Sequence, residues 1–79
     1  MKIKVTDILT GKQRVCRATL TIDHPASSYG QPVLLVDGEP WGIMECVLHN
    51  PQIVQPPKAK AQIALLAQWQ RNLQQQTAI

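Results

Sequence analysis

The sequence predicts a small α+β fold: an antiparallel sheet of about four strands, made of two β-hairpins, with one C-terminal helix packed on it. Three observations predict it. Apolar and polar residues alternate over positions 1–22, the spacing of half-buried strands. A continuous apolar run, Val33-Leu34-Leu35-Val36, leads straight into Asp37-Gly38, a strong short-range hairpin signal. The last third of the chain is dense in Ala, Leu, Gln and Lys, all good helix formers. A small open barrel carrying the helix as an appendage is the second architecture that fits.

Residues 1–22 read as the first hairpin. Ile3 and Val5 alternate with Lys2, Lys4 and Thr6, and Cys16, Ala18, Leu20 and Ile22 alternate with Arg17, Thr19 and Thr21. A two-residue turn at Gly11 places Ile3 opposite Leu20 and Val5 opposite Ala18, with one apolar and one basic face. A three-residue turn shifts that register. Residues 23–31 carry Pro, Gly and Ser without apolar periodicity and read as a loop. Residues 32–48 read as the second hairpin. Its return strand starts near Trp41 and runs through Ile43 and Met44 to Leu48, with Pro40 and Gly42 marking an edge or a bulge. The alternation there is imperfect, so Glu45 to Leu48 also fits a helical turn. Residues 49–57 hold three prolines and read as an extended connection.

The helix is expected over residues 58–77. At 100° per residue, Ile63, Leu65, Leu66, Trp69 and Leu73 fall within an arc of about 160°, interrupted by Gln62 and Gln70. Such a helix is about 29 Å long, whereas four strands span only about 19 Å. An overhanging apolar arc needs cover, and small domains gain it by self-association. The sequence therefore predicts a homodimer or a protein partner, with Leu65, Trp69, Leu73 and the hairpin residue Trp41 as contacts. Tyr29 and Trp41 also suit an exposed hot spot for a partner.

Length and composition narrow the function classes. With 79 residues the chain is sized for one domain. Charged residues make up 16% against a usual ~25%. Glutamine fills part of the gap, at Gln68, Gln70, Gln74, Gln75 and Gln76. The opening residues hold no apolar h-region and no run reaches the ~18 residues of a membrane span, so a cytoplasmic location and no membrane partner are expected. Cys16 and Cys46 sit in apolar runs and read as buried thiols.

The search for chemistry returns little, and a non-catalytic protein without cofactor or metal is expected. The four glycines are scattered and match no phosphate-binding loop. His24, His49, Cys16, Cys46, Asp23 and Glu45 lack metal-ligand spacing. Asp23, His24, Ser27 and Ser28 share a loop, but triads assemble in space on a rigid scaffold and sequence proximity is weak support. Asp37 and Glu39 sit in a tight turn that uses Asp for its geometry.

The leading expectation is therefore an interaction or assembly module that self-associates through its C-terminal helix. The alternative is a nucleic-acid-binding accessory protein. Charge runs basic, acidic, basic along the chain, with net charge +3. The first hairpin holds Lys2, Lys4 and Arg17 on its polar face, with Lys12 and Arg14 flanking the turn. A ribbon of this kind tracks phosphates, although no aromatic residue interleaves with these cations.

Overall fold

The computed structural model describes the backbone of residues 1–27 and 30–77, and the side chains of these up to Gln75. Ser28 and Tyr29, named above, lie outside the described residues. The elements in order are β1 (Lys2–Thr6), β2 (Gln13–Thr21), β3 (Val33–Val36), β4 (Glu39–Trp41), α1 (Ile43–His49), β5 (Gln52–Gln55) and α2 (Lys60–Thr77). The strands form one antiparallel sheet in the order β4-β3-β2-β1-β5. The α+β class, the antiparallel sheet and the C-terminal helix packed on it are as the sequence predicts. The sheet has five strands rather than four, and a second helix is present.

The first hairpin keeps its expected faces in a different register. Ile3 lies opposite Cys16 and Val5 opposite Arg14, not Leu20 and Ala18. The cause is Asp7. Its carboxylate accepts the N–H groups of Leu9 (2.8 Å) and Thr10 (3.0 Å). Its own N–H donates to the Lys12 carbonyl, and its carbonyl accepts the N–H of Gly11, each at 2.8 Å. Gly11 has φ +74°, which costs a glycine nothing. The chain therefore reverses over residues 7–12 instead of two. The shift is four residues, an even number, so no side chain changes face.

Asp37 and Gly38 both have positive φ, 51° and 86°, as a type I′ turn requires, and Val36 faces Glu39 across it. The expected return strand to Leu48 ends at Trp41. From Ile43 the chain is helical, because helical spacing puts Cys46 inward while a strand would split the run between two faces. Asn50 closes the helix in the left-handed conformation and donates its N–H to the Cys46 carbonyl at 3.0 Å. His49 Nδ1 lies 3.2 Å from the Thr6 carbonyl, tying α1 to β1. The Pro-rich stretch is extended, and its four residues between Pro51 and Pro56 become β5, paired with β1 around a bulge.

Ile3, Val5, Cys16, Ala18, Leu20, Leu34, Val36, Cys46 and Trp69 form the core, with Trp41, Ile53, Leu65, Leu66 and Leu73 packed against it. Trp69 is 4% exposed and is covered by its own chain, so it offers no free contact surface. α2 packs on both β2 and α1. The buried arc of α2 is also rotated. Ile63 points out, 49% exposed, and Gln62 points in. Its amide accepts the Leu20 N–H at 2.9 Å and donates to the Leu20 carbonyl at 2.7 Å. Leu20 lies beyond the start of β1, so Gln62 stands in for the missing neighbouring strand.

Candidate functional site

Two surfaces carry chemistry. The first is the sheet face opposite the core. By strand alternation it takes Lys2, Lys4 and Thr6 from β1, Gln13, Val15, Arg17, Thr19 and Thr21 from β2, and Gln52 and Gln55 from β5. Lys2, Val15, Arg17 and Thr19 are exposed, while Lys4 is half-buried. Lys2 and Arg17 are direct cross-strand partners, and Lys4 faces Val15 on one side and Gln52 on the other. Lys58 joins Lys2 and Arg17 on the wall of a groove of about 340 Å³, with Thr19, Gln55 and Pro57. No carboxylate takes a place in these outward positions of β1, β2 and β5.

The five expected cations do not form one patch. Lys2, Lys4 and Arg17 share the open face. Arg14 faces Val5, hence the other side of the sheet, and its Nη1 lies 3.5 Å from Asp37 Oδ2. Both members are more than half exposed, so the pair contributes little to stability. Lys12 sits in the reversal loop.

The second surface is a cleft of about 440 Å³ between residues 26–27 and 31–33, the start of α1 and the C-terminal half of α2. Trp41 and Trp69 line it with Ser27, Gln31, Asn72 and Gln75. Asn72 Nδ2 donates to Gln31 Oε1, which ties Gln31 to α2, and Ser27 Oγ donates to the Gln31 carbonyl. Trp41 is half-buried, with its ring 5.0 Å from that of His49 and tilted by 34°. Leu65 and Leu73 are half-buried against the core.

Compared with protein-family models, with curated proteins and with solved structures, the chain finds no match in any of the three.

The remaining chemistry-bearing residues sit in the core or in local loop contacts. Burial raises the Cys16 thiol pKa. Burial, with the Glu45 charge beside it, pushes the Cys46 thiol up to about 11. Both cysteines are free. Backbone N–H groups of Thr10 and Leu9 hold the Asp7 carboxyl below its ordinary value. His24 Nδ1 accepts the Ala26 N–H at 3.0 Å, a loop contact. Among the described residues no three His, Cys, Asp or Glu side chains gather, and no helix is long and apolar enough to cross a membrane.

Sequence reasoning missed three groups. In the sequence Gln62 reads only as an interruption of an apolar arc. Met44, Val47 and Leu48 are all exposed on α1, and their i, i+3, i+4 spacing was the available signal of a helical face. Gln31 and Asn72 are far apart in sequence, and nothing local joins them.

Proposed function

We propose that the protein is a non-catalytic binding module whose open sheet face holds the phosphate backbone of a nucleic-acid duplex. The observation that supports this reading best is Lys2 directly opposite Arg17, with Lys4 on the same face, Lys58 on the adjoining groove and no carboxylate among those positions. Thr6, Thr19, Thr21, Gln13, Gln52 and Gln55 add hydroxyl and amide groups that hydrogen-bond phosphate oxygens. The face carries no aromatic side chain, so contacts fall on the backbone and binding is indifferent to base sequence. In this reading the protein works in the cytoplasm with both thiols reduced.

The test is fluorescence polarisation of a labelled duplex at low salt. Binding is expected, and the double variant Lys2→Glu/Arg17→Glu loses it while Arg14→Glu, on the other side of the sheet, retains it. No binding by the wild-type chain at about 50 mM salt would remove the reading.

A second reading, an assembly module, is favoured by a different observation. Met44, Val47 and Leu48 are 67%, 45% and 48% exposed on one short helix. In this reading self-association runs through α1, with half-buried Leu65, Leu73 and Trp41 in supporting positions. Sedimentation equilibrium reads it directly. A dimer that Val47→Asp dissociates supports this reading, and a wild-type monomer at high micromolar concentration rejects it.

A further inference from the structure

We propose that the groove walled by Lys2, Arg17 and Lys58 takes a phosphate monoester dianion, the terminal phosphate of a nucleic-acid strand. The site rests on the phosphate reading of the open sheet face above and names the phosphate that the face prefers.

The three cations come from β1, from β2 and from the link between β5 and α2, so only the fold brings them to one groove of about 340 Å³. Lys2 and Arg17 are direct cross-strand partners. Like charges set opposite one another on neighbouring strands repel and destabilise a sheet. Lys58 adds a third charge of the same sign, and the groove lining holds no Asp or Glu. Among the described residues the ion pair is that of Arg14 with Asp37, and Lys2, Arg17 and Lys58 have none. The repulsion therefore stands uncompensated in the free protein, and an anion in the groove relieves it. All three residues are exposed, so the groove is open to a ligand.

The amount of charge decides which anion fits best. A phosphodiester within a strand carries one negative charge. A terminal monoester carries about 1.5 to 2, because its second pKa is about 6, and it offers three acceptor oxygens. Set among three cations, the dianion gains more than the diester. The planar Arg17 fork can pair two of its oxygens at once, while Lys2 and Lys58 act as point charges. Thr19 and Gln55 line the same groove and add a hydroxyl and an amide.

The test compares two blunt duplexes of one sequence, one phosphorylated at its strand ends and one ending in hydroxyls, by fluorescence polarisation at about 50 mM salt. The full chain should bind the phosphorylated duplex about tenfold more tightly, the gain of one further charge-assisted hydrogen bond. Lys58→Ala should bring that ratio near one, although it weakens binding of both duplexes. Lys12→Ala, in the reversal loop at the opposite end of the hairpin, should leave the ratio at about tenfold. Amide shift mapping of the wild-type chain needs neither duplex nor variant. Adenosine monophosphate should saturably move Lys2, Arg17, Thr19, Gln55 and Lys58, and adenosine should not. A ratio near one with the hydroxyl-ended duplex still bound would overturn the proposal and leave the phosphate-backbone reading standing. A preference that survives Lys58→Ala, or equal shifts with adenosine, would also overturn it. If neither duplex binds, both fall, and saturation by adenosine monophosphate would then assign the groove to a free mononucleotide.

Discussion

Gln62→Ala removes a side chain that carries no charge and fills little of the core, yet it should destabilise the protein severely. The Gln62 amide makes two bonds to one peptide position, 2.9 Å from the Leu20 nitrogen and 2.7 Å from the Leu20 oxygen, in a partly buried setting. A buried backbone donor or acceptor left unpaired costs about 1–3 kcal/mol. Water reaches a partly buried site in the variant, so the lower end applies to each group and the sum is about 2 kcal/mol. A protein of this size has a total stability of only about 4–12 kcal/mol. For a small domain each kcal/mol shifts the melting point by about 4–8 °C, so Tm should fall by about 8–16 °C. Thermal melts followed by circular dichroism read this, with Gln70→Ala on the exposed side of α2 as the control. Urea unfolding should show a lower midpoint at an unchanged m-value. Amide exchange at Leu20 should accelerate in the variant. A Tm for Gln62→Ala equal to that of Gln70→Ala would refute the idea that this amide completes the sheet.

The Asp7 carboxyl has a folded-state pKa below its ordinary 3.8, so its contribution is fully present above that value and is lost as pH falls below it. Asp7→Asn keeps one acceptor oxygen, and should flatten that acid limb of a stability-versus-pH curve without altering the hairpin register read by NMR. Cys46, with its pKa pushed up to about 11, should react with a disulfide reagent at pH 8 only as fast as the protein opens, and rapidly in denaturant. Equal rates in buffer and in urea would contradict its burial. Gly38→Ala must hold φ at +86° with a Cβ present, and should cost about 1 kcal/mol in urea unfolding although nothing crowds the position.

Local physics made part of this fold legible. Period two over β1 and β2 assigns Ile3, Val5, Cys16, Ala18 and Leu20 to one face. The even shift of the real register leaves that assignment intact. Asp37-Gly38 is decisive because few other residue pairs take two successive positive φ values. What was illegible is non-local. The stretch Ile43–His49 is apolar enough for a strand, and its helix is settled by Cys46 docking in the core and by Asn50 closing the end. β5 is four residues between prolines, and its partner β1 lies about fifty positions earlier. Gln62 looked like a flaw in an apolar arc because the peptide it serves belongs to another element. On the candidate site, Lys2, Lys4 and Arg17 were readable from strand alternation alone. The separation of Arg14 from them depends on the register that Asp7 imposes. Removing Trp69 from the expected contact surface depends on its place in the core and on the cover α1 gives α2, a helix the sequence suggested only as a possible turn.

The salt dependence of duplex binding tests the phosphate-backbone claim most directly. If Lys2, Lys4, Arg17 and Lys58 each neutralise one phosphate, log K falls against log salt with a slope of about −3.6, which is a loss of about 150-fold between 50 and 200 mM. Arg17→Ala should lower the magnitude of that slope by about one, equally for any duplex sequence. A slope near zero, or a slope that Arg17→Ala leaves unchanged, would contradict the account.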